Sequence, residues 1–92
     1  MIVIYATSNC GWCKRALKLC KDYSLKHEYI VMDMKDKDGT KRWKDNMREE
    51  FETKFPDAKT VPQITWHGRN IGGYEDLVSE VQNTRNYGDG EL

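Results

Sequence analysis

Ile2-Val3-Ile4-Tyr5-Ala6-Thr7-Ser8-Asn9-Cys10-Gly11-Trp12-Cys13 is the stretch on which the architecture of this chain turns. Five apolar, β-branched or aromatic residues predict a strand, and Thr7-Ser8-Asn9 then offer turn and helix-capping side chains. Over 11–23, Cys13, Ala16, Leu17 and Cys20 recur at three- and four-residue spacing. Lys14, Arg15, Lys18, Lys21 and Asp22 fall largely elsewhere on the wheel, so an amphipathic helix is predicted. The cysteine pair therefore sits where a strand hands over to a helix, and the unpaired N–H groups and dipole of a helix N-terminus favour a thiolate.

Working outward, partial alternation and β-branched residues over 28–34 predict a second strand, and strand-helix-strand order implies a parallel pair with a right-handed crossover. The segment 36–40 breaks that pattern, after which Trp43, Met47, Phe51 and Phe55 recur every fourth residue as a second helix, ended by Pro56-Asp57. Short strands over 63–66 and 69–71 flank His67-Gly68 as an antiparallel hairpin closed by Gly72-Gly73. Leu77, Val78 and Val81 define a last helix over 75–82, and the polar residues 83–92 read as a frayed tail. The expectation is one domain over 1–82 plus that tail, with no internal repeat.

The 92 residues suffice for one hydrophobic core. Fifteen basic and fifteen acidic residues cancel, so no overall positive field draws the chain to nucleic acid or to an anionic membrane. Apolar runs of a few residues fall far short of a membrane span, and the first residues lack the basic region of a signal peptide. Three cysteines suit a disulfide framework poorly, which points to a reducing compartment, the cytoplasm, and to a close cysteine pair that is catalytic or metal-binding; the chain is expected to be a monomer.

In that pair Cys10 is the expected nucleophile, just ahead of the helix, and Cys13, beginning the apolar face, is the expected resolving thiol. Lys14 and Arg15 either support the thiolate or stand in water; the sequence leaves both open. The C-x-x-C spacing also supplies half of a structural zinc site, but Cys20, His27 and His67 form no second close pair, so no metal is expected. Further on, Thr60-Val61-Pro62 leaves Val61 backbone groups free to pair with an extended peptide, or Pro62 simply starts a strand. Gly72-Gly73 allows close approach of a ligand or merely a tight turn, with Glu75 or Asp76 placed as a helix-start acid.

Cys10-Gly11-Trp12-Cys13, Thr60-Val61-Pro62 and Gly72-Gly73-Tyr74-Glu75-Asp76 together resemble the glutaredoxin family over about residues 1 to 82. The resemblance implies an α/β thioredoxin-like fold, a four-stranded mixed sheet flanked by about three helices. It also implies a cis Pro62 facing the reactive cysteine, and glutathione as the reducing co-substrate. Trp12 would wall the ligand, Thr60, Val61 and Pro62 would hold its backbone, and Gly73, Glu75 and Asp76 would hold its γ-glutamyl end. The implied activity is reduction of protein disulfides or glutathione mixed disulfides, with ribonucleotide reductase as one client that the family suggests.

The sequence departs from many relatives, which carry proline and tyrosine between the cysteines and a lysine where Thr7 stands here. The glycine carboxylate of glutathione would fall to Arg48, Glu49 or a neighbour. Two alternatives stay open: carriage of a two-iron, two-sulfur cluster, as in relatives without that proline, and a thioredoxin-like reductant recharged by a flavoprotein.

Overall fold

The computed structural model describes the backbone of residues 1–90 and the side chains of residues 1–83. Nine elements follow one another: β1 (Ile2–Ala6), α1 (Gly11–Asp22), β2 (His27–Val31), β3 (Asp33–Lys35), β4 (Lys41–Trp43), α2 (Met47–Lys54), β5 (Gln63–Trp66), β6 (Arg69–Gly72) and α3 (Tyr74–Gly90). The main sheet runs β2-β1-β5-β6, with β1 parallel to β2 and antiparallel to β5, and β5 antiparallel to β6. This is the thioredoxin-like mixed sheet, and α1 is the crossover between its parallel strands.

Alternation along β1 divides the core into two layers. Ile2, Ile4 and Ala6 face α1 and α3, packing with Cys13, Ala16, Cys20, Ile64, Leu77 and Val81. On the opposite face Tyr5 packs with Met32, Phe51 and Phe55 beneath α2. The apolar stripe expected on α1 is thus the one buried: Cys13, Ala16 and Cys20.

Three boundaries differ from the sequence reading. The second strand ends at Val31, because Met32 turns inward to full burial, donates its N–H to Ala6 and accepts from Lys44. The stretch 36–40, read as a simple break, is the turn of a separate two-stranded hairpin, β3–β4, pairing Asp33 with Trp43 and Lys35 with Lys41. Trp43 consequently lies on β4 rather than on the second helix, and reaches the same apolar layer from there, its ring 6.0 Å from that of Phe51. Phe55 is the residue at which α2 ends. Finally, α3 continues to Gly90, past Gln82, because neither glycine nor proline interrupts the chain between Gly73 and Gly88. The stretch expected as a frayed tail over 83–92 is thus helical as far as Gly90, and residues 91–92 lie outside the described residues.

Candidate active site

Cys10 is the N-cap of α1: its backbone is extended (φ −122°, ψ 108°) while its carbonyl accepts the Lys14 N–H at 3.2 Å. An extended residue at that position throws its side chain across the first turn, and its sulfur accepts the Cys13 N–H at 3.1 Å. The Cys10 and Cys13 sulfurs are joined as a disulfide, with the two Cα atoms 5.3 Å apart. Cys13 is fully buried against the core, whereas Cys10 is half-buried. An attacking thiol needs such an edge position, and a partner one helical turn inward is shielded from outside reagents.

The sulfur of Cys10 also lies 3.8 Å from the carbonyl oxygen of Val61, the residue that precedes the cis Val61-Pro62 bond. The Val61 N–H has no hydrogen-bond partner among the described residues, so this short segment presents a free backbone edge beside the cysteine. That edge forms part of a cleft of about 510 Å³. Trp12, Thr60, Val61, Pro62, Gly73, Glu75 and Asp76, the residues singled out from the sequence for ligand binding, all line it.

Gly72, read from the sequence with Gly73 as a point of close approach, also lines it, and Gln63 and Tyr74 complete the lining without having been singled out. The sequence holds a signal for Tyr74, an aromatic directly after the glycine pair; its ring lies 5.7 Å from that of Trp12, and the two form one wall. Trp12 is 52% exposed, and the Arg15 guanidinium covers its ring at 4.6 Å. Arg15 is therefore committed to the tryptophan, a cation–π contact, while Lys14 stands exposed.

At the far end of the cleft, Gly72 has φ +110°, and a Cβ there would run into the Asp76 carboxylate. Asp76 Oδ2 accepts the Gly73 N–H at 2.9 Å, closing the first turn of α3 as half of a capping box. Asp76 thus has a structural role in addition to lining the cleft with Glu75. On the other side of Thr60-Val61 a second recess is lined by Thr7, Trp43, Arg48 and Lys59 among others. Arg48 belongs to that recess and Glu49 does not; Glu49 lies on a separate surface with Asn46 and Glu50. His27 places Nδ1 2.7 Å from the Leu25 carbonyl, and His67 occupies the turn between β5 and β6 with φ 54°.

The family model for Glutaredoxin matches residues 2–71, which takes in the cysteine pair, the cis proline and most of the sheet. The chain belongs to the glutaredoxin family. Glutaredoxin-1 of Ectromelia virus (strain Moscow) is 32% identical over 89 residues, 96% of this chain and 77% of that protein. Glutaredoxin-C8 of Oryza sativa subsp. japonica is 28% identical over 81 residues, and the match spans only 56% of its length. Among solved structures, reduced Escherichia coli glutaredoxin superposes with a TM-score of 0.68 at 27% identity, covering 92% of this chain and 96% of that one. As a glutaredoxin-family oxidoreductase, the chain works by thiol–disulfide chemistry, which a thiol at the head of a helix beside an accessible cleft is suited to perform. Among the described residues no helix is long and apolar enough to cross a membrane.

Proposed function

We propose that this chain is a glutathione-dependent oxidoreductase that reduces glutathione mixed disulfides and protein disulfides, with Cys10 as the nucleophile and Cys13 as the resolving thiol. The observation that carries the reading is the Cys10 sulfur, which receives a helix N-terminal N–H and lies next to the Val61 edge of the cleft. An N–H aimed at sulfur stabilises the thiolate more than the thiol, and the thiolate is the attacking species.

The reduced Cys10 thiolate attacks a disulfide sulfur of the substrate, breaking that bond and expelling one partner as a thiolate that takes a proton from water. With a glutathione mixed disulfide, attack on the glutathione sulfur releases the client and leaves glutathione on Cys10. A second glutathione thiolate then attacks that sulfur, giving oxidised glutathione and the free Cys10 thiolate. With a protein disulfide, Cys13 attacks Cys10 in the mixed disulfide, frees the client as a dithiol and leaves the Cys10–Cys13 disulfide for two glutathiones to reduce.

Glutathione fits the cleft by its chemistry. Its extended cysteinyl backbone pairs with Val61 between Thr60 and Pro62, and Trp12 covers its face. Its γ-glutamyl ammonium meets the carboxylates of Glu75 and Asp76, and its α-carboxylate meets N–H groups at the start of α3, beyond Gly73. Arg48 and Lys59 across Thr60 suit the glycine carboxylate. A relative from buckwheat has been solved as a glutaredoxin-glutathione complex. Ribonucleotide reductase is a client of the right class, since its turnover needs an external dithiol, and the cytoplasm is a compartment in which this pair would be kept reduced.

The test is reduction of a small mixed disulfide coupled to glutathione and glutathione reductase. Cys10→Ser is expected to abolish turnover and Cys13→Ser to retain it on glutathione mixed disulfides while losing protein disulfides. An inactive wild-type protein would overturn the glutathione assignment and favour the thioredoxin-like or cluster-carrier alternative.

A further inference from the structure

The cleft carries the acidic Glu75 and Asp76, whereas a separate recess beside the turn before Cys10 carries two lysines. There the β3–β4 hairpin rises against the turn that precedes Cys10, and the two enclose a recess lined by Ser8, Asn9, Lys35 and Lys41. Ser8 and Asn9 are the two residues immediately before the reactive cysteine. The hairpin is fastened to that turn by Asp33, whose carboxylate accepts the Ser8 N–H at 2.6 Å and the Ser8 hydroxyl at 2.8 Å.

Lys35 and Lys41 are directly opposite one another across the two strands. Like charges in that relation repel and weaken the pairing. Neither lysine forms an ion pair among the described residues, and Lys41 interacts only at longer range with the Asp33 carboxylate. Neighbouring Arg42, by contrast, is engaged by Asp36 at 2.7 Å. Both lysines are exposed and line one recess with Ser8 and Asn9, the residues that lead into Cys10, so an anion there would be complementary in charge.

We propose that this recess docks an acidic side chain flanking the disulfide of a protein client. The inference rests on Cys10 being the nucleophile, and it adds a substrate preference that the glutathione cleft does not supply. A free inorganic anion would be held only by two exposed cations in an open recess, whereas a carboxylate on a polypeptide already held at its disulfide arrives at high effective concentration. Asp and Glu one to three residues from the client cysteine lie within about 10 Å of it along an extended chain.

The test uses two peptides of one sequence, with either two glutamates or two glutamines beside a cysteine held in a mixed disulfide with mercaptoethanol. Protein reduced beforehand is mixed with each peptide in a single turnover without glutathione. The protein dithiol becomes the Cys10–Cys13 disulfide and the mixed disulfide becomes two thiols. The wild-type protein is expected to react roughly three- to tenfold faster with the glutamate peptide at low salt, the size that two exposed charge contacts provide. The ratio should shrink toward unity as salt shortens the screening length.

Lys35→Gln with Lys41→Gln should bring the ratio to unity, and the ratio cancels any change in intrinsic thiol reactivity. Lys18→Gln with Lys26→Gln removes the same charge elsewhere and should leave the preference in place. Equal wild-type rates with the two peptides, or a preference that survives the Lys35 and Lys41 substitutions, overturns the proposal. Failure of the glutathione-coupled assay with this preference intact would strike only the electron donor.

Discussion

Asp33 shows how one side chain can organise the approach to a reactive cysteine from a distant point in the chain. Burial opposes its ionisation most strongly, but the two Ser8 hydrogen bonds and the nearby Lys41 charge outweigh burial and hold the carboxyl below its ordinary range. A carboxylate depressed on folding contributes stability above its unfolded value, near 4, and that contribution is lost as pH falls through the folded value. Asp33→Ala should therefore cost about 1 kcal/mol at pH 7, after solvent screening of a half-exposed group, and less at an acid pH below the ordinary aspartate value. Urea unfolding at the two pH values measures this. Cys20 carries the opposite lesson. It is fully buried on α1, and burial pushes its thiol up, away from the thiolate. In the reduced native protein a thiol-specific reagent should react rapidly with Cys10 alone, and Cys20 should become reactive only with global unfolding.

At the scale of the element, the start of α3 joins fold to cleft. Gly72 holds a left-handed backbone, and the Asp76 carboxylate fills the space where a side chain at Gly72 would stand. Gly72→Ala is expected to displace that cap and to strain the backbone, lowering stability by about 1–3 kcal/mol. It should also raise the KM for glutathione more than it lowers kcat, because the damaged turn binds a remote part of the substrate. Thermal unfolding with glutathione-dependent kinetics on the same variant checks both. The β3–β4 hairpin is an element that residue patterning alone misplaced. Its strands are three residues each, too short for alternation to register, and Trp43 continued the four-residue spacing of Met47 and Phe51 by coincidence of position.

Over the whole molecule, the central strand β1 carries one core layer on each face, so the two sides of the sheet are held by different helices. Leu77, fully buried, packs α3 on the first layer together with Val81. Leu77→Ala should destabilise the protein by about 2–5 kcal/mol through lost burial and the cavity left behind. A loss of that size is a large fraction of the stability of a small domain, so its unfolding midpoint should fall well below that of the wild type.

By itself the sequence determined the strand-helix-strand start, the apolar face of α1, the terminal hairpin and helix, and the family, because each is written in local periodicity, turn chemistry or closely spaced motifs. It also named seven side chains that line one cleft, although they come from three separate segments. Tertiary structure alone decided that Gln63 and Tyr74 join them, that Arg15 serves Trp12, that Asp76 rather than Glu75 caps α3, and that Arg48 rather than Glu49 faces the second recess. It alone brought Lys35 and Lys41 to the turn before Cys10 through Asp33 and Ser8, 25 residues apart. A contact of that separation depends on how β3 folds back over β1, and no local pattern records it.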